Sequence, residues 1–214
     1  GDLAFNRADS SLWGVRHSNG ISSVWRIPPP YDIGHQVWAL KYGLVLYDLD
    51  ISPDGKQLAA SMAEVSGRQS LRLMTLDSLL AGNFATQLLH DFGTAIPASF
   101  AWSPDGLRIY GSSYYTGVSN IFRYDVAADS MEIMSNCETG FFRPVPTSGD
   151  SLIVFRYSGD GFVPAKIEPR PLTDVSAITY LGNQVVERRP ELKTWVTPSP
   201  SRVNLDSLRT YEGP

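Results

Sequence analysis

The chain has 214 residues, of which 43% are hydrophobic and 19% charged, and a formal charge of −4. That is enough apolar material for one sizeable core, while the acidic balance argues against duplex nucleic acid, whose phosphates need clustered Lys and Arg. The one cysteine, Cys137, rules out an internal disulfide and is expected to be a buried or half-buried free thiol.

Five Trp, ten Tyr, 18 Gly and 15 Pro suit many short strands better than a helical bundle. The longest apolar run, Val37 to Tyr47, is broken by Lys41. It falls short of the roughly 18 residues of a membrane span, so no membrane insertion by this segment is expected. The opening residues do not read as a signal peptide, and none is expected in this segment. Gly1-Asp2-Leu3 reads as the middle of a strand, so the chain is expected to belong to something longer.

Taken in order, the runs rich in Val, Ile, Leu, Tyr, Phe and Trp fall into four groups of four predicted strands. The first group is Leu3–Phe5, Ser11–Arg16, Ser23–Ile27 and Gln36–Leu40. The second is Leu46–Ile51, Gln57–Met62, Ser70–Leu76 and Thr86–His90. The third is Ser99–Trp102, Arg108–Ser113, Asn120–Val126 and Glu132–Met134. The fourth is Phe141–Val145, Ser151–Arg156, Phe162–Ile167 and Ser176–Tyr180. Calling the strands of each group a to d, the repeats cover about 1–42, 43–92, 93–136 and 137–182.

Two copies declare the repeat. Ser52-Pro53-Asp54-Gly55 precedes Gln57-Leu58-Ala59-Ala60, and Ser103-Pro104-Asp105-Gly106 precedes Arg108-Ile109-Tyr110-Gly111. Pro presets φ for a tight turn, Asp accepts local N–H bonds, and Gly takes the left-handed position. Leu12, Leu58, Ile109 and Leu152 hold one place in strand b, at steps of 46, 51 and 43. Repetition at this period is the mark of a solenoid or propeller. The outer turns are degenerate: Arg7-Ala8-Asp9-Ser10 keeps only the Asp, and Pro146-Thr147-Ser148-Gly149 only the Gly. Two positions after each marker stands Gly14, Ala60, Gly111 or Val154. Positions i and i+2 share a face, so a large and a mostly small residue are expected side by side, the small one letting the neighbouring sheet come close. Burial of each marker is expected to contribute about 1.5–3 kcal/mol. Every b–c turn also holds a glycine (Gly20, Gly67, Gly117, Gly161), as a hairpin with positive φ requires.

These segments resemble the WD40-like PD40 repeat of TolB-type propellers, which also occurs in propeller domains of tricorn and prolyl-oligopeptidase-type peptidases. The resemblance rests on Asp50-Ile-Ser-Pro-Asp-Gly-Lys-Gln-Leu-Ala, Ala101-Trp-Ser-Pro-Asp-Gly-Leu-Arg-Ile-Tyr and Ser119-Asn-Ile-Phe-Arg-Tyr-Asp-Val, and is good over about 46–130. It implies an all-β, β-propeller-like array of about four four-stranded antiparallel blades, as a small ring or a partial arc of a larger one. It further implies a non-catalytic scaffold for a protein partner or neighbouring domain, in a periplasmic or outer-membrane-associated protein. An accessory propeller of a serine peptidase and a carbohydrate-binding propeller are the alternatives. An open arc would expose the flat sides of its end blades and invite self-association. From about Gly182 the texture changes to charged Glu187–Lys193 and the Pro/Ser stretch Thr197–Ser201. Residues 183–214 therefore read as an extended connector, or as a tail wrapping back with Trp195 as anchor.

The search for chemistry yields little. No Gly-x-Ser-x-Gly elbow is present, and Gly111-Ser112-Ser113-Tyr114-Tyr115, the nearest stretch, lies in strand b. No His-Glu-x-x-His or paired-Cys set points to zinc, and Asp48, Asp50 and Asp54 lack the Gly and Glu of a calcium loop. His90 and Asp91 are adjacent on a strand and should face opposite ways, which argues against an acid–base pair. No catalytic residue, metal or cofactor is therefore expected. Propellers work through loops at one end. The b–c loops carry His17, Asn19, Arg68, Tyr114, Tyr115 and Asp160, residue types favoured at partner surfaces, and these six are the expected partner-binding residues.

Overall fold

Strand alternation sends every second side chain of a two-sided apolar strand to each face, so each sheet must be covered on both sides. The computed structural model describes residues 2–172 and 189–191, and the chain divides into two compact units, Gly1–Ser176 and Ala177–Pro214. The first unit meets the demand by stacking four antiparallel sheets face to face. The first sheet holds β1 (Leu3–Asn6), β2 (Ser11–Ser18), β3 (Ile21–Ile27) and β4 (His35–Ala39). The second holds β5 (Val45–Ile51), β6 (Gln57–Ala63), β7 (Gln69–Thr75) and β8 (Gln87–Asp91), with the helical turn α1 (Leu76–Leu80) between β7 and β8. The third holds β9 (Pro97–Trp102), β10 (Arg108–Ser113), β11 (Asn120–Asp125) and β12 (Ser130–Ile133). The fourth shows β13 (Phe141–Pro146), β14 (Leu152–Ser158) and β15 (Gly161–Ile167) among the described residues. Its expected last strand, Ser176–Tyr180, and the connector with Trp195 lie outside them. This is a propeller-like array of blades, with strand order a-b-c-d in each complete one.

Three cores fill the three junctions. Trp13, Val15 and Val24 of blade one meet Leu58, Ala60 and Met62 of blade two. Ala59, Leu71 and Leu73 on the other side of blade two meet Trp102, Ile109 and Phe122 of blade three. Tyr110 and Ile121 meet Leu152 and Val154 of blade four. Strands β1, β5, β9 and β13 contact each other in succession. Among the described residues no core joins blade four to blade one. Each marker thus points at the preceding blade, and Leu58, Ile109 and Leu152 are fully buried. Leu12 departs from the expectation. It is only half-buried: among the described residues no core covers that face of blade one, and its face-mates Leu3 and Phe5 are exposed.

Ala60 and Val154 join the junction cores, while at the two glycines the tightest contact comes from within the blade. A Cβ on Gly111 would sit 2.3 Å from the ring of Phe100, and one on Gly14 2.8 Å from Leu3 Cδ2. In both cases strand a of the same blade takes that space. Strand c of blade two stops at Thr75, one residue before the predicted Leu76. Leu76 and Leu79 turn inward from α1 and join the first junction core.

The Ser-Pro-Asp-Gly turns close as their residues dictate. Ser103 Oγ donates to Asp105 Oδ1 (2.5 Å) and accepts from Arg108 N–H (3.0 Å), while Leu107 N–H donates to Asp105 (3.0 Å). Ser52 and Asp54 repeat the set. In blade four Thr147 takes the serine's role, its N–H donating to the Ser151 carbonyl (3.2 Å) in a turn one residue shorter. In blade one the equivalent residue is Asn6, which bonds the Gly55 carbonyl of blade two (3.1 Å) and its own turn at Ala8 N–H (2.9 Å). The turn itself spans Arg7–Ser10, with Ser10 left-handed (φ 57°). All four b–c glycines have positive φ (76°, 85°, 91° and 96°).

Candidate functional site

Two kinds of connection share one end of the array. The b–c hairpins lie beside the segments leading from strand d into the next strand a. Gly20 sits against Tyr42, and Gly43 against Val65. The six residues expected to bind a partner all lie at this end, but the structure does not gather them. His17 and Asn19 stay with blade one, at the end of β2 and in its turn (φ 51°). Arg68 is engaged by Asp91 at 2.7 Å. Asp160 is exposed in the β14–β15 turn.

Tyr114 and Tyr115 do come together with others. Tyr115 packs edge-on against His90 (5.6 Å between centroids), Phe92 (5.8 Å) and Phe122. Tyr114 reaches Phe142 (6.0 Å), which meets Phe162 (5.2 Å), which in turn meets Tyr157 (5.3 Å). The result is an aromatic band across blades two to four. Tyr114, Tyr115, Phe162 and Tyr157 remain about half exposed, at 57%, 50%, 59% and 49%. His90 and Asp91 separate as alternation requires: Asp91 holds Arg68, while burial among the rings holds the His90 imidazole below its usual pKa. The pair has no shared site.

Beside the band lies a cavity of about 510 Å³. Phe142, Phe155 and Phe162 form its aromatic wall; Ala98, Ser99 and Ser112 of blade three and Arg143 complete it. Arg143 has φ 47°, and it occupies a recurring place. Strand a of each of the last three blades is bulged, and the left-handed residue there is Asp48, Ser99 or Arg143. A smaller cavity of about 170 Å³ lies at the opposite end, between the a–b turns of blades three and four.

The same places explain the acidic residues. Asp2 Oδ2 accepts the N–H of Asp48 (2.7 Å); Asp48 Oδ2 accepts Phe100 N–H (2.9 Å); Asp50 Oδ2 accepts Trp102 N–H (2.7 Å). These carboxylates clip the inner strand of blade one to that of blade two, and that of blade two to that of blade three. Burial pushes the Asp48 carboxyl up to about 6, and the nearby Asp2 charge adds to the rise. Among the described residues no three His, Cys, Asp or Glu side chains converge on a common metal position.

Sequence reasoning missed Phe142, Arg143 and Phe162, and the place of His90 among the rings. Arg143 had a signal. It stands nine positions before its marker, against ten for Asp48 and Ser99, the difference being the shorter turn of blade four, and only the bulge made that spacing meaningful.

No protein-family model matches the chain, and no curated protein matches it significantly. Solved structures do resemble it. A putative TolB from Agrobacterium tumefaciens superposes with TM-score 0.60 at 24% identity, over 76% of this chain and 56% of that one. TolB from Acinetobacter baumannii gives 0.63 at 17% identity, over 78% and 40%. A puromycin hydrolase gives 0.58 at 15%, over 78% and 29%. The chain thus spans 56% or less of each of these proteins. At such identities the likeness is one of fold: a TolB-like propeller, also found in peptidases.

Proposed function

We propose that this chain is a non-catalytic TolB-like propeller module, built of PD40-type repeats, that serves as a protein-interaction scaffold within a larger bacterial envelope protein. The observation that carries the reading is the half-exposed aromatic band at the b–c end. Rings held in place by packing on one another offer contact area with little ordering entropy to lose, the kind of anchor that partner surfaces use. A periplasmic or outer-membrane-associated location is supported by the fold's likeness to two TolB proteins. Among the described residues no helix is long and apolar enough to cross a membrane.

Site-specific photo-crosslinking tests the reading. A photoreactive phenylalanine at Tyr114 or Tyr115 is expected to give one defined protein adduct in cells. The same probe at Lys56 or Leu107, in the turns of the opposite end, is expected to give none. Equal adducts from both ends, or none from either, would remove the b–c end from the account. A second reading, a propeller accompanying a peptidase domain, is favoured by the likeness to puromycin hydrolase. An adduct consisting of a hydrolase or its substrate would select it.

A further inference from the structure

We infer that the cavity formed by Phe142, Arg143, Phe155 and Phe162 of blade four with Ser99 and Ser112 of blade three binds a peptide carboxylate carried next to an aromatic or aliphatic side chain. The inference rests on the scaffold reading above and specifies the chemistry of the same end of the molecule.

Charge comes first. Arg26, Arg68, Arg72, Arg108, Arg123 and Arg170 each face a carboxylate within 4.0 Å. Arg143, like Arg7, Arg16 and Arg156, has no such partner among the described residues, and of these four it is the one that lines the cavity, where it stands exposed. A guanidinium presents five donors in a planar fork that matches a carboxylate.

The repeat then shows why this junction differs. At the two earlier junctions a strand-a carboxylate reaches forward and is used up on backbone N–H groups of the next blade. At the third, the forward-reaching places hold Ser99 and Ala101, so the protein supplies no negative charge. The receiving strand carries Arg143 followed by Pro144, which has no N–H to be capped. A carboxylate is therefore missing from the place where the fold elsewhere puts one, and a cation has replaced the donor.

The walls set the remainder of the ligand. Phe142, Phe155 and Phe162 line the cavity, and its volume of about 510 Å³ falls in the range that holds a small ligand or a peptide end. An apolar side chain packs on the rings while its neighbouring carboxylate meets Arg143. A net charge of −4 gives no long-range attraction for an anion, so recognition is short-range and stereochemical.

Calorimetric titration of the full chain with N-acetyl-Ala-Phe as the free acid, and with the same dipeptide as its carboxamide, tests this. The acid is expected to bind at least tenfold more tightly than the amide. R143Q is expected to abolish that difference while leaving weak binding of both, R143K to keep part of it, and F162A to weaken both ligands. Both side chains are exposed, so these variants should retain the parent circular dichroism spectrum. Equal binding of acid and amide by the parent protein, no heat from either at millimolar ligand, or an acid preference that survives in R143Q would each overturn the inference. The crosslinking at Tyr114 and Tyr115 reads the scaffold role independently, so loss of one result leaves the other standing.

Discussion

At the scale of single residues, Asp48 gives the most specific expectation. Its carboxyl titrates near 6 when folded, against 3.8 when free, so the folded state binds the proton more tightly than the unfolded chain. Acidification from pH 7 toward 4 then favours folding through this group, and that gain is lost as pH rises past 6. Asp50 shifts the same way, and His90, held below its usual value, shifts the opposite way. The clean readout is therefore a difference. The urea stability of D48N should approach or exceed that of the parent at pH 7 and gain less on going to pH 4.5, by on the order of 2 kcal/mol. Equal pH slopes for the two proteins would show that Asp48 does not titrate in this window. Gly111 is the steric counterpart. G111A forces a methyl into the Phe100 ring and should cost about 1–3 kcal/mol, whereas G149A, with open space around its Cβ, should be near neutral in the same denaturation experiment.

At the scale of elements, the a–b turn acts as a unit whose serine carries the closure. S103A removes a hydroxyl that bonds Asp105 and the Arg108 backbone at once. It should lower stability by about 1–2 kcal/mol and raise amide exchange locally at Leu107 and Arg108. T147A tests the shorter version of the turn in blade four and should act in the same direction. A loss confined to global stability, with unchanged exchange at the turn, would place the serine's role elsewhere. The helical turn α1 shows how an element escapes a strand-based reading. Leu76, Leu79 and Leu80 lie at helical spacing, but the run beginning at Ser70 masked their start.

At the scale of the whole array, the two ends are unlike each other yet complementary in kind. Blade one shows the side that elsewhere receives a preceding blade, with Leu3 and Phe5 exposed. Blade four shows the side that elsewhere meets a following one, with Ile153, Val145 and Tyr157 exposed. Exposed apolar sheet faces associate in water, so the chain is expected to self-associate head to tail with rising concentration. Sedimentation velocity should show this, and F5E on one face or I153E on the other should each suppress it. A parent protein that stays monomeric throughout would mean that these faces are covered in solution.

The sequence by itself determined the blade. A turn of Ser-Pro-Asp-Gly, a marker with a small residue two places on, and a glycine in every b–c hairpin are local requirements of φ and of pleat alternation. Strands a, b and c of all four repeats could therefore be placed from residues a few positions apart. Only the tertiary structure decided what lies across the junctions. Whether Asp48 is a metal ligand or a clip, and whether Tyr115 is a loop tip or part of a band with His90, depends on residues from another blade. Arg143 acquires its meaning the same way, because its neighbours Ser99 and Ala98 lie more than forty positions earlier in the chain. Packing of one sheet on the next creates that proximity, and no spacing within a single repeat encodes it.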